Sequence, residues 1–189
     1  GSMLNVIKLH LTKLARNPNE KELSGEIVKE SMGMVDETIQ TVRGISQDLM
    51  PPTLVKLGLE KGVLELCKQI NATGKVKIDF ANATTSQRLA SKVELQLYRV
   101  IREVINNILK HSSASEITLT LCSSVDFITV KVTHNGIGIS DEMVKELTQS
   151  KGGIGLKSIQ SRIQLIKGSI HYYYREKNSA EIVIQAPFS

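Results

Sequence analysis

The sequence predicts an α+β fold: a two-layer α/β sandwich preceded by an α-helical hairpin. Three observations predict it. Apolar residues in the first quarter of the chain recur at alternating steps of three and four, the spacing of one helical stripe. Further on, Ile117, Leu119 and Leu121 and then Ile128, Val130 and Val132 alternate with polar residues, the period-two pattern of half-buried strands. Strands and helices then follow each other without the regular repetition of a doubly wound sheet, so a mostly antiparallel sheet is expected.

In the hairpin, Leu4, Ile7, Leu11 and Leu14 lay one stripe along a short helix that ends near Asn17-Pro18. Val28, Met32, Val35, Ile39, Val42 and Leu49 keep the four-three spacing of a coiled-coil seam, with Ser46 its one polar step. That helix would span ~30 Å. Two helices with narrow stripes cannot bury both faces alone, so a homodimer through the hairpin is expected, against the alternative of a hairpin folded back on its own globular domain. Pro51-Pro52 breaks the pattern. The expected division is therefore 1–52, a partial dimerisation hairpin, and 53–189, a globular domain.

Within the second region the pattern predicts a helix over 59–70, a strand over 76–80 and a long helix over about 90–110. The last carries Val93, Leu97, Val100, Ile101, Val104, Ile105 and Ile108 on a broad buried face. Strands around 117–121 and 128–132 should pair antiparallel. A polar segment with two glycine clusters comes next, then a helix over about 154–166 and strands near 170–174 and 181–185.

Composition narrows the function classes. Of 189 residues, 41% are hydrophobic, 23% charged and 4% aromatic, with no Trp, as in a water-soluble globular protein with a real core. No apolar run approaches the ~20 residues that cross a bilayer, so no membrane contact is expected of this region. Gly1-Ser2-Met3 looks like the remnant of a cleaved expression tag, and the parent protein is expected to extend upstream. Cys67 and Cys122 are too few and too far apart for a disulfide framework or a zinc site; a reduced, cytoplasmic environment is expected. The net charge of +5 is spread among interspersed acids with no aromatic-basic platform, which excludes nucleic acid as the expected partner.

Three constellations carry chemistry. Glu103, Asn107, Lys110 and His111 stand at i, i+4, i+7 and i+8, on one side of a helix. Asn offers a neutral oxygen to Mg²⁺, Lys neutralises phosphate charge, and Glu can orient a water or assist a proton transfer. The plain alternative is a solvated helix face. Asn135-Gly-Ile-Gly138 follows a strand directly, where glycines allow close approach of backbone to a ligand or simply end the strand in a turn. Lys151-Gly-Gly-Ile-Gly-Leu-Lys157 opens a helix, where free N–H groups attract anions. No Gly-Lys-Ser/Thr completes a Walker pattern there.

In succession these motifs resemble the asparagine box and the two glycine boxes of the GHKL ATPase superfamily, which includes histidine kinases, gyrase, Hsp90 and MutL. The run Leu97-Tyr-Arg-Val-Ile-Arg-Glu103 leading to Lys110-His111, and Gly153-Ile-Gly-Leu-Lys-Ser-Ile-Gln-Ser-Arg162, are similar to the sensor histidine kinases related to nitrate sensors and the membrane-lipid thermosensor. The stretch from Val42 to Gly58 resembles that class's second hairpin helix and its junction with the catalytic domain.

The resemblance implies a GHKL (Bergerat) ATP-binding domain with ATP and Mg²⁺ as cofactors. Asn107 would ligate Mg²⁺, Glu103 would take the catalytic acidic position, and Lys110 and His111 would approach phosphates. His134, Gly136, Gly138, Gly153, Gly155 and Leu156 would complete the ATP site, under a short lid. The parent would phosphorylate a hairpin histidine and pass the phosphate to the receiver domain of a response regulator.

The sequence departs from that family at three places. His134 stands where members carry the Asp that accepts a hydrogen bond from the adenine amino group. A neutral imidazole can offer one lone pair, but loss of a charge-assisted bond should cost ~1.5 to 3 kcal/mol of binding. The Gly-Thr pair that supports this Asp is replaced by Ser179-Ala180, so weak ATP binding is expected. The phosphoacceptor histidine would precede residue 1; His10 reads as a hairpin-surface residue, and His171, among Tyr172, Tyr173 and Tyr174, as a sheet residue without a role. A degenerate, non-catalytic dimerisation module is thus the strongest rival to a kinase. Other GHKL ATPases lack the hairpin upstream of the ATP fold, which disfavours them.

Overall fold

A computed structural model of the chain describes residues 2–16, 25–36, 38, 51–84, 88–149, 154–175 and 179–188. They fall into two compact units, 1–51 and 52–189.

The first unit contains helices α1 (Ser2–Arg16) and α2 (25–36). Ile7 on α1 and Ile27 on α2 are buried, and His10 Nδ1 lies 3.1 Å from Ser31 Oγ, so His10 is half-buried between the helices rather than a plain surface residue. The stripe residues Ile7, Leu11 and Leu14 share one shallow apolar groove with Val28, Met32 and Val35. Most of that groove stays open to solvent: Leu11 is 56% exposed and Met32 63%. The predicted seam positions Ile39, Val42, Ser46 and Leu49 lie outside the described residues.

The second unit runs α3 (Pro52–Asn71), β1 (Lys77–Ala83), α4 (Ser91–His111), β2 (Glu116–Ser123), β3 (Phe127–His134), α5 (Asp141–Gln149), α6 (Ile154–Leu165), β4 (Ser169–Arg175) and β5 (Ser179–Pro187). The strands form one sheet in the order β1-β2-β3-β5-β4, antiparallel except for β1 beside β2. A parallel pair needs a long crossover, and α4 supplies it.

One sheet face is buried and the other is open, as the alternation of β2, β3 and β5 dictates. Ile117, Leu119, Leu121, Val130, Val132 and Ile184 point into the helical layer, where they meet Leu97, Ile101, Val104 and Ile105 of α4. The opposite face carries polar pairs such as Lys131 Nζ with Glu181 Oε2 at 2.8 Å. Helix α4 is the centre of the helical layer, packing on both α3 and α6.

Two elements differ from the sequence expectation. Helix α3 starts at Pro52, seven residues before the expected start at Leu59, because Pro is tolerated at the first helical position where its missing N–H would be unpaired anyway. It is then interrupted at Gly58, whose φ of 82° lies in the left-handed region that glycine tolerates. Helix α5 was not expected at all. Its apolar side, Met143, Val144 and Leu147, covers barely one turn and buries only Val144, too short a stripe to stand out in the polar segment, while Asp141 and Glu142 in its first turn suit the positive end of the helix dipole.

Candidate functional site

The chemistry-bearing face of α4 opens onto a cavity of about 520 Å³, within the range of small-molecule sites. Glu103, Asn107, Lys110 and His111 all line it, as the i, i+4, i+7, i+8 spacing requires. Across from α4, the turn after β3 contributes Ile137, Gly138 and Ile139, and the start of α6 contributes Ile154, Gly155 and Leu156. The helix face, the turn after β3 and the first turn of α6 therefore line one space. Gly153 lies outside the described residues.

The glycines serve different ends. Gly155 sits so close to α4 that an added Cβ would run into the Glu103 carboxylate and come within 3.5 Å of Asn107 Oδ1. Gly138 packs against Ala180 and Tyr174 of the sheet's far strands. Gly136, expected in the binding wall, does not line the cavity: it abuts the Ser112 carbonyl at the end of α4, where only a residue without Cβ fits. Asn135 is also structural. Its Oδ1 accepts the N–H groups of Ser115 and Glu116 at 2.9 and 3.1 Å, tying the turn to the start of β2.

His134 ends β3, is 7% exposed and lines the cavity. Its Nδ1 accepts the backbone N–H of Gly136 at 3.2 Å, and burial holds its pKa below the ordinary value, so the ring is a neutral imidazole. The lone pair that the sequence left available to an adenine amino group is thus already occupied. In the sheet register His134 faces Ala180, which puts the two family departures side by side.

Sequence reasoning missed the apolar floor. Ile159 of α6, Tyr172 of β4, Leu147 of α5 and Ile182 of β5 line the same cavity. Tyr172 is buried, and burial raises its pKa well above that of a free phenol. Its backbone N–H is held at 2.9 Å by Asp141 Oδ1, which also lies near His171 Nδ1 through its other oxygen, at 3.3 Å. His171 therefore pairs with the first residue of α5 as well as standing beside Tyr173. Alternation along β5 predicts an inward Ile182, but no local pattern assigns Tyr172 or Leu147 to a site shared with α4.

A helical layer on a five-stranded mixed sheet, with a cavity framed by the central helix, the turn after β3 and the start of α6, is the architecture of the GHKL class of ATP-binding domain. Residues 92–189 match the family described as histidine kinase-, DNA gyrase B-, and HSP90-like ATPase, and the chain belongs to that family. It is similar to the oxygen sensor histidine kinase NreB of Staphylococcus carnosus, 23% identical over 99% of this chain and 52% of that protein. It is also similar to the signal transduction histidine-protein kinase/phosphatase DegS of Brevibacillus brevis, 25% identical over 86% of this chain and 41% of that one. The chain spans about half the length of these curated relatives or less. Among solved structures, the histidine kinase AdeS of Acinetobacter baumannii shares the fold, with a TM-score of 0.55 at 16% identity over 99% of this chain and 95% of that one. No helix among the described residues is long and apolar enough to cross a membrane.

Proposed function

We propose that the second unit is the ATP-binding catalytic portion of a sensor histidine kinase, and that residues 1–52 are part of the hairpin through which the kinase dimerises. The parent protein would act in the cytoplasm, phosphorylate a hairpin histidine upstream of residue 1, and hand the phosphate to a response regulator aspartate. The observation that carries this reading is the single cavity shared by Asn107, the glycine turn after β3 and Gly155 at the start of α6.

The residues present fit a magnesium nucleotide. Asn107 brings a neutral oxygen donor into the cavity beside Gly155, where no Cβ intrudes. Lys110 and His111, in the last turn of α4, bring donors for phosphate oxygens to the same space. Glu103, which lines the same cavity, would orient the attacking imidazole or take its proton. The apolar floor from Ile159 to Tyr172 suits a flat base and excludes water from it. Bound Mg²⁺ would neutralise developing charge on the transferred phosphoryl group. The open apolar groove between α1 and α2 supports self-association, since a stripe of this kind is ordinarily covered.

A second reading, a degenerate kinase that signals by conformation, is favoured by one observation: His134 has no acceptor left for an adenine amino group. Transphosphorylation tests both. A hairpin fragment containing the upstream histidine is supplied with Mg²⁺-ATP and this chain, and acid-labile phosphate on the fragment is measured. Transfer abolished by Asn107→Ala supports the kinase. No transfer by the original sequence, with transfer by His134→Asp, supports the degenerate module.

A further inference from the structure

We infer, on the reading of this cavity as a nucleotide site, that Asp141 is a positioning residue. Braced by His171, it clasps α5 to the edge strand β4 and so holds one wall of the cavity against its floor. Neither side chain lines the cavity, so both act on it through other residues.

Helix α5 is lightly attached by its apolar side chains. Nine residues are too few for a helix to persist in water on its own. Only Val144 is buried, while Met143 and Leu147 are 46% and 44% exposed. Yet Leu147 reaches the cavity, as does Ile139 just ahead of the helix. The wall that these two build is therefore only as fixed as the attachment of α5.

Asp141, in the first turn, supplies a polar attachment. Strand β4 lies at the end of the sheet, so alternate N–H groups along it have no neighbouring strand to accept them. Asp141 Oδ1 accepts one of these, the Tyr172 N–H, at 2.9 Å. Its Oδ2 lies 3.3 Å from His171 Nδ1, which steadies the carboxylate. The Tyr172 side chain is buried and forms part of the cavity floor. One carboxylate thus joins the helix that carries Leu147 to the strand that carries Tyr172. The Oδ1 bond outweighs the ion pair, because the Asp141 and His171 side chains are 38% and 51% exposed and water screens their charges. An amide in place of the carboxylate would keep that bond.

Amide hydrogen exchange on the whole chain without nucleotide, read by mass spectrometry over residues 141–149, tests the clasp. Asp141→Ala should speed exchange there about tenfold, because α5 opens locally once the bond is lost, and leave β2 and β3 unchanged. Asp141→Asn should stay within about threefold of the original, and His171→Ala should fall between the two. Glu142→Gln removes a first-turn carboxylate that bonds Ser140 rather than β4, so it should also stay within about threefold. Calorimetry with Mg²⁺-ATP then reads the effect on the cavity: affinity about fivefold to tenfold weaker in Asp141→Ala and restored in Asp141→Asn. Exchange in α5 that Asp141→Ala leaves unchanged, or that Glu142→Gln speeds as much, would overturn the inference. So would equal acceleration in β2 and β3, which would mean loss of the whole fold, or a loosened α5 with unchanged ATP affinity. Should the original chain bind no ATP, the nucleotide-site reading falls and the positioning role with it, while exchange still decides whether the clasp exists.

Discussion

Ile137 donates its backbone N–H to the carbonyl oxygen of Ser112 at 2.8 Å, joining the turn after β3 to the end of α4. The two walls of the cavity are thereby fastened to each other at one end, and Gly136 lies in the seam. A Cβ there would strike the Ser112 carbonyl and approach Ala114 N to 2.7 Å, both rigid backbone. Gly136→Ala is expected to destabilise the fold by about 1–3 kcal/mol, the usual cost of overpacking. Urea unfolding followed by circular dichroism would read this as a lower midpoint with an unchanged slope.

Gly155→Ala should behave in the opposite way. The atom in its path is the end of the flexible Glu103 side chain, which can swing aside, and alanine favours helix over glycine by about 1 kcal/mol. Stability is expected to change by less than about 1 kcal/mol in either direction. The displaced carboxylate would crowd Asn107, so affinity for Mg²⁺-nucleotide should fall by about fivefold or more, the worth of one hydrogen bond. Calorimetry and thermal melts on the same samples separate the two effects.

What could be read from the sequence was set by local periodicity. Glu103, Asn107, Lys110 and His111 could be assigned to one place because helical spacing alone brings them together, and β2 and β3 because they alternate. Helix α5 could not, since its one-turn stripe of Met143, Val144 and Leu147 is too short to be told from a polar loop. Tyr172 and Leu147 join the cavity through tertiary packing of separate elements. The tautomer of His134 was also hidden: which ring nitrogen carries the proton is decided by where the Gly136 N–H points. Gly136 and Gly138 look alike in the motif, yet only Gly138 faces the cavity.

Arg88 holds the start of α3 to the start of α4. Its Nε lies 3.3 Å from Glu94 Oε1, and its Nη2 donates to the carbonyl oxygens of Val55 at 2.6 Å and Leu54 at 3.3 Å. The Glu94 side chain is only 4% exposed, against 52% for Arg88. Arg88→Ala would strand a buried carboxylate and is expected to cost about 2–3 kcal/mol, less than a fully buried pair because the guanidinium is half in water. The double variant Arg88→Ala/Glu94→Met should be more stable than Arg88→Ala alone, since it removes the unpaired charge. A double-mutant cycle by urea denaturation checks this.

The two cysteines should differ sharply in reactivity. Cys67 is buried in α3 beneath the core, and loss of solvation pushes its thiol up to about 11, whereas Cys122 is exposed on β2. Thiolate is the reacting form, so iodoacetamide at neutral pH should label Cys122 within minutes and Cys67 only after unfolding. Mass spectrometry of peptides from native and urea-treated samples would show it. Equal labelling in the native state would contradict the buried packing of α3.

His134 should also leave its mark on the pH dependence of stability. Burial holds the native imidazole below its ordinary value of 6.5, while the unfolded chain titrates at that value. Between the two values the unfolded state binds more protons than the native state, so protonation favours unfolding there. Stability from this group is therefore complete above pH 6.5, declines as pH falls from 6.5 toward the native value, and levels off below it. His134→Asn keeps a polar side chain at the site and removes the titration. Urea midpoints measured between pH 7.5 and 5 should fall less steeply for the variant than for the original chain. Parallel curves would mean that the ring is protonated as readily in the folded protein as in water, and that burial does not hold its pKa down.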